Sequence, residues 1–452
     1  MKITIITVFS EIHEVFLGTS LIGRAIKDGA LACNVIKLSS LCAVKERIDE
    51  PTAGPGVGMI IKPSVIERAI EACEAQWGRG FRIFFSPQGT VLTQPQLKKI
   101  YNSIVSGPFR EATATTATMP ATLAETPHLI LVCSRYEGID PRVEATYADA
   151  VVSIGDYVLM GGDLPAQVFL EGLLRLLPGI VGNQESVEHE SFSSHFLDFP
   201  AYAQTQEWQG QEVPAILKSG HHAAITTWRE QEACKKTVLQ RFDWLSQQPM
   251  TSSLIGQIQQ HIPHHYVVLM HSEVLLKNNV VGTSSIASLD LHDIARSSAT
   301  YGLKNYFVVT KLHDQRDLMT TFLGFWQSKE GKDYNATRHA AVSKVIPAQS
   351  LEEVISAITA LEAKAPLLIA TCARETVSER KIDFSSQKTV WQHNRPVLFV
   401  LGTAHGLAPS VIEQCDYLLL PIKGFSSYNH LSVRSAAAIV FDRWLGNHEK
   451  MP

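Results

Sequence analysis

The sequence has no Cys-x-x-Cys pair, and its seven cysteines (33, 42, 73, 133, 234, 372 and 415) are scattered and odd in number. That excludes a disulfide framework or a cysteine-based zinc site and points to reduced thiols in a cytoplasmic protein. No apolar run approaches the roughly 20 residues of a membrane span, so no membrane association is expected. The opening Met1-Lys2-Ile3-Thr4-Ile5-Ile6-Thr7 is too short for a signal peptide and reads as a first strand. No Lys-Ser or Lys-Thr follows the glycines of 52–59, which excludes a P-loop. Neither charge sign prevails: Lys and Arg number 40, Asp and Glu 44, for a net charge of −4. A broad polyanion-binding surface is therefore not expected, while a small basic cleft, or recognition of shape and unstacked bases, needs no global excess.

What is present is an ordinary globular composition, 45% hydrophobic and 19% charged, over 452 residues, enough for two or more domains. The most informative stretch is 153–166, where Gly155, Gly161, Gly162 and Pro165 punctuate an apolar run containing Ile154, Tyr157 and Leu159. Such a backbone bends sharply and approaches a ligand closely, and its apolar side chains suit a purine ring. Upstream strands are expected at 2–8, 34–38, 82–86, 129–133 and 150–153. The last three end at Pro87-Gln88-Gly89, at Ser134-Arg135-Tyr136-Glu137-Gly138 and at the glycine stretch itself. Three such ends converging at the carboxyl edge of a parallel sheet form the usual ligand crevice of α/β proteins.

Other segments carry weaker signals. Pro63-Ser64-Val65-Ile66-Glu67 reads as a helix start with a Ser64…Glu67 capping box, followed by apolar residues at helical spacing. Residues 111–127 read as a surface loop and 164–177 as an amphipathic helix carrying Arg175. The glutamine-rich 246–262 reads as an interdomain segment. A second α/β pattern then begins, with strands expected at 266–270, 305–310, 367–371, 397–401 and 417–421.

Taken in order, these motifs of residues 1–250 resemble the bacterial tRNA (guanine-N1)-methyltransferase (TrmD) family, one branch of the trefoil-knotted SPOUT methyltransferases. Three blocks of the second half resemble the other large branch, the TrmH (SpoU-like) enzymes: Asp290 to Gly302 with Arg296, Leu401 to Leu407, and Leu420 to Val433. The fold class implied is α/β, with two SPOUT-type knotted parallel-sheet domains and a small helical domain between them. The boundaries are 1–183 for the first domain, 184–196 for a linker, 197–262 for the helical tRNA-binding domain and 263–452 for the second SPOUT domain.

The resemblance implies S-adenosylmethionine as methyl donor, held by Pro87, Gly89, Ser134, Glu137, Gly138, Ile154, Tyr157, Leu159, Gly161, Gly162 and Pro165. It implies guanosine 3′ of the tRNA anticodon as acceptor, a homodimer, Mg²⁺ assistance, and phosphate contacts from Lys218, His221 and Arg229. Alignment through Gly182 and Phe192 places Glu190 where the family has its aspartate base and Arg175 where it has an arginine that steadies charge on guanine O6. Asp163 and Glu185 are weaker candidates for the base. Ser134 stands where the family has glycine. In the second domain the corresponding candidates are Arg296, Gly402, Gly406, Leu420, Ile422 and Asn429, with Asp290 and Ala404 departing from that branch's Asn and Glu. Its target is open. A different RNA, such as ribosomal RNA, modified through the second domain, and a noncatalytic RNA-binding protein are the rival readings.

Overall fold

The computed structural model describes all residues except 56–57, 107–125, 183–189, 206, 375–378 and 450–452. Most of the expected loop 111–127, and Glu185, lie outside the described residues. The chain divides into two compact units, Met1–Ser194 and His195–Pro452. No helix among the described residues is long and apolar enough to cross a membrane.

The first unit contains β1 (Lys2–Thr7), β2 (Ala32–Lys37), β3 (Asp49–Pro51), β4 (Met59–Ile61), β5 (Phe81–Val91), β6 (His128–Val132) and β7 (Ala150–Ser153). Five of them form a parallel sheet in the order β2-β1-β6-β5-β7, while β3 and β4 pair separately and antiparallel. The central strands are apolar on both faces because helices cover both. Ile3, Ile5, Leu129 and Leu131 meet Phe169, Leu170 and Leu173 of the helix Asp163–Leu174. Ile6, Ile130 and Val132 meet Val65, Ile66 and Ile70 of the helix Pro63–Trp77. Each fully buried side chain of this size contributes roughly 1.5–3 kcal/mol.

The expected capping box is corrected by the structure. Lys62 is the N-cap without a side-chain cap bond, and Pro63 occupies the first helical turn. Proline is preset for that position, so Ser64 falls inside the helix, two residues too late to cap it.

One irregularity shapes the carboxyl edge. Phe85 and Thr90 of β5 both face Val152 of β7, so residues 86–89 leave the ladder and rejoin it without changing the sheet. A Cβ on Gly89 would lie 2.7 Å from the backbone of Val151 and Val152, so only glycine lets the strand return this closely.

The second unit opens with the hairpin β8 (Glu207–Trp208) and β9 (Gln211–Glu212), then helices at His222–Gln240, Phe242–Leu245 and Ser252–Gln259. It continues with β10 (His265–Met270), β11 (Ser272–Leu275), β12 (Val281–Thr283), β13 (Tyr306–Val309), β14 (Val345–Ala348), β15 (Leu367–Thr371), β16 (Lys381–Ile382), β17 (Val397–Gly402) and β18 (Tyr417–Leu419). Seven of these make a parallel sheet in the order β14-β13-β10-β17-β15-β18-β16. Each expected strand is present; β14, whose Val345-Ile346-Pro347-Ala348 is interrupted by a proline, and the two-residue β16 are additions to the sheet.

Residues 246–262 are more than a connector, contrary to expectation. Leu254 and Ile258, four apart on the helix Ser252–Gln259, enter the same buried cluster as Cys234, Val238 and Leu245. The glutamines had masked an apolar stripe only two residues long. At the base of this core His265 is fully enclosed. Its Nε2 accepts from the indole N–H groups of Trp391 (3.3 Å) and Trp444 (3.1 Å), and its Nδ1 faces the Pro263 carbonyl at 2.6 Å. Indole nitrogens only donate, so the proton of His265 resides on Nδ1.

Candidate methyl-donor cleft and base pair

At the carboxyl edge of the first sheet the three predicted loops enclose a cavity of about 540 Å³. The excursion of β5 brings Pro87 to it. The loop after β6 brings Ser134, Glu137 and Gly138, and the loop after β7 brings Ile154, Tyr157, Leu159, Gly161, Gly162 and Pro165. Of the candidates for this site, Gly89 alone lies off the wall, serving the strand return described above. The glycine loop 52–59 reaches the same rim: a Cβ on Gly58 would lie 2.4 Å from Cγ of Glu137, and Ile60 lines the cavity.

Gly161 and Gly162 are glycine because two chain segments pass one another there. The Gly162 N–H donates to the Ser134 carbonyl (2.8 Å), and Arg135 and Gly161 form an isolated antiparallel bridge. A Cβ on Gly161 would sit 2.6 Å from the Ser134 oxygen, and one on Gly162 2.9 Å from the Ser134 nitrogen. The close approach read from the sequence is thus first of all an approach of backbone to backbone.

A buried network holds this crossing. Asp163, only 1% exposed, accepts from Thr7 (2.5 Å), His13 Nε2 (3.0 Å) and Arg135 Nε (2.9 Å). Arg135 also donates to the Met160 carbonyl (3.3 Å), and its guanidinium lies over the ring of Phe9. Burial would raise the Asp163 carboxyl, but hydrogen bonds from His13 and Thr7 and the Arg135 charge outweigh it and hold it below the usual carboxylate range. Cys133 beside it is fully buried, and burial together with the Asp163 charge pushes its thiol well up. With its oxygens so engaged, Asp163 is a structural anion and is no candidate for the base. His13 and Thr7 carried no signal in the sequence. Arg135 and Asp163 did, each standing directly beside a glycine motif.

Arg175 is the C-cap of the helix Asp163–Leu174 and donates to the carboxylate of Glu190. Both side chains keep substantial exposure, at 43% and 34%. The structure therefore brings the two expected catalytic residues together, but away from this cavity: Pro165 lines it at the start of the helix, and Arg175 stands ten residues, about 15 Å along the axis, further on.

In the second unit the candidates disperse. Gly402 and Gly406 frame a tight turn in which a Cβ on Gly402 would lie 2.6 Å from the Leu407 nitrogen. Leu420 lines a cavity of about 290 Å³ with Cys372, Arg374, Lys381 and Lys423. Asn429 donates to the Ala373 carbonyl (2.8 Å) next to it. Ile422 instead packs against the buried core, its apolar side chain drawn inward. Arg296 is exposed on the helix Ser288–Thr300, eight residues or about 12 Å beyond its start, and is not part of this cavity. The arginine that does sit at that helix's first turn is Arg434, paired with Asp290 at 3.1 Å.

Comparison with known proteins agrees with this geometry. Residues 1–106 and 104–247 match the family profile described as tRNA (Guanine-1)-methyltransferase TrmD, and 264–446 match that of a SAM-dependent RNA methyltransferase. A tRNA (guanine-N(1)-)-methyltransferase of Oleidesulfovibrio alaskensis is 34% identical over 99% of this chain and 100% of its own length. One of Nitratidesulfovibrio vulgaris is 33% identical with the same coverage. The chain belongs to the tRNA (guanine-N1)-methyltransferase family. It is an enzyme of the methyltransferase class with a second methyltransferase domain at its C-terminal side. A tRNA (guanine-N1)-methyltransferase of Neisseria meningitidis, 36% identical, covers 58% of this chain with 97% of its own length, so that relative matches without a counterpart to the remainder.

Proposed function

We infer that the chain methylates N1 of the guanosine 3′ of the anticodon (position 37) of tRNA in the cytoplasm, using S-adenosylmethionine held in the cavity of the first unit. The carrying observation is that one helix, Asp163–Leu174, has that cavity at its start and the Arg175–Glu190 pair at its end. The cavity suits the donor: Ile154, Tyr157 and Leu159 offer an apolar wall for adenine, and Glu137 and Glu144 offer carboxylates for its cationic groups. The crossing of the Ser134 and Gly162 segments supports a trefoil knot.

Bound donor supplies a methyl group already activated on a sulfonium, so the residues' work lies with guanine. Its N1 proton must leave as the nitrogen attacks, and charge accumulates on O6. Glu190 takes the proton as general base, and Arg175 steadies the O6 charge. The same carboxylates, Glu137 and Glu144, have the oxygen chemistry a Mg²⁺ ion would require. An exposed apolar row of Tyr157, Val158, Met160, Leu164 and Val168 supports pairing as a homodimer. On the second unit, exposed Lys218 and Arg229 are the phosphate contacts. His221 caps the helix His222–Gln240 by accepting from Ala224 N–H through Nδ1. The second domain acts as an RNA methyltransferase on a target of its own.

The test is methylation of tRNA transcripts carrying G or A at position 37, with product mapping. Methyl transfer confined to the G37 transcript is expected. Equal transfer to both, or transfer only to another RNA, would overturn this reading.

A further inference from the structure

The helix His222–Gln240 has two unlike halves. No residue from 222 to 232 is buried, whereas Ala233, Cys234, Thr237 and Val238 are. The buried half does not pack on a core of its own. Cys234, Val238, Leu245, Leu254 and Ile258 belong to one cluster with Val267, Phe399 and Trp444 of the C-terminal domain. Phe242 meets Trp391 edge to face at 4.8 Å, and Trp391 in turn donates to His265 of β10. The His448 N–H donates to the Ser246 carbonyl at 2.6 Å, closing the junction from the other side. The incoming chain is fastened at the same place, because Thr237 Oγ1 accepts from Leu197 N–H (2.9 Å) while donating to the Ala233 carbonyl.

Short helices in water hold their shape through tertiary packing of an apolar face. Here that face belongs to the second domain's sheet. We propose that the C-terminal domain is the scaffold of the tRNA-facing helix: its sheet clamps residues 233–258 and so presents Arg229 to RNA, a role that requires no chemistry from the domain. Arg229 stands nine residues, about 13 Å along the axis, from Val238. Loosening at the clamp is therefore magnified at the tip. This rests on the reading of Arg229 as a tRNA contact.

The experiment uses the full chain with Phe242→Ala and, separately, the milder Val238→Ala, both at the junction. Ile358→Ala is the control: Ile358 is fully buried in a different cluster, on the opposite face of the same sheet. Arg229→Ala reports on the tRNA contact itself. Steady-state tRNA methylation, donor binding by calorimetry and hydrogen exchange of amides 226–240 are measured for each. The junction variants should raise KM for tRNA about tenfold, with kcat at saturating tRNA and donor affinity within twofold of the parent and with faster exchange in 226–240. Ile358→Ala should leave KM for tRNA within twofold. If both junction variants leave KM unchanged, or Ile358→Ala raises it equally, the scaffold proposal is overturned. If Arg229→Ala also has no effect, the tRNA-facing reading fails with it; if Arg229→Ala raises KM while the junction variants do not, the scaffold proposal alone fails.

Discussion

The Arg175 guanidinium donates to the Glu190 carboxylate, so the residues expected to remove the proton and to steady the charge engage one another directly. Guanine entering between them would have to part the pair, which presents its N1–H to the carboxylate and its O6 to the guanidinium. Removing the base should slow single-turnover methylation by about 10²–10⁴-fold. Glu190→Gln keeps the shape and loses the basicity, and should show that drop with tRNA binding nearly unchanged. Glu190→Asp should retain or improve the rate. Parental chemistry in Glu190→Gln would place the base elsewhere.

Arg135 should control donor affinity through the loop it holds. Arg135→Ala releases the Met160 carbonyl and leaves Asp163 with His13 and Thr7. The expected outcome is a rise of tenfold or more in KM for S-adenosylmethionine with little change in kcat at saturation, partly restored by millimolar guanidinium. Asp163→Asn is the harsher change, because it strands a half-buried guanidinium, and should cost roughly 3–5 kcal/mol in urea titrations. A parental KM in Arg135→Ala would show that the loop holds its shape unaided.

Gly162→Val should abolish donor binding. Its side chain would meet the Ser134 nitrogen and Cys133 Cα at 2.9 and 3.1 Å, so the crossing itself must open. The melting temperature should fall along with donor affinity. Unchanged donor affinity by calorimetry would separate the crossing from the cavity.

The second unit should lose stability on mild acidification. Burial lowers the pKa of His265 to about 4 and that of His271 to about 4, against 6.5 for both in the unfolded chain. Between those values the unfolded chain binds more protons, so stability is full above pH 6.5 and declines as pH falls toward 4. His265 alone accounts for about 3 kcal/mol across that window. Fluorescence of Trp391 and Trp444, whose indoles donate to His265, should report it in urea titrations at pH 7 and pH 5. Equal midpoints would contradict the enclosed neutral imidazole.

Strands such as β6 and β10 were legible in the sequence because unbroken apolar runs have few other fates, and the cavity was legible because glycine and proline mark where such runs end. What the residues alone hid was interaction across long separations. Nothing beside His13 in sequence announces Asp163, 150 residues away. Ser64 and Glu67 matched a capping pattern that a single proline pre-empted. The helix Ser252–Gln259 looked polar because Leu254 and Ile258 are outnumbered, although these two side chains alone dock it on the core while the rest stays exposed. Arg296 was singled out by its motif, and the structure leaves it exposed on the helix Ser288–Thr300, outside the lining of the cavity that holds Leu420.

Because Phe85 and Thr90 are held opposite the same residue of β7, the span between them is uncoupled from the alternation of the sheet. Residues added to or removed from 86–89 alter the reach of one cavity wall without turning any core side chain outward. Length, rather than composition, is the freely variable property of that wall, and paralogues with bulkier or smaller ligands can arise there without refolding the domain.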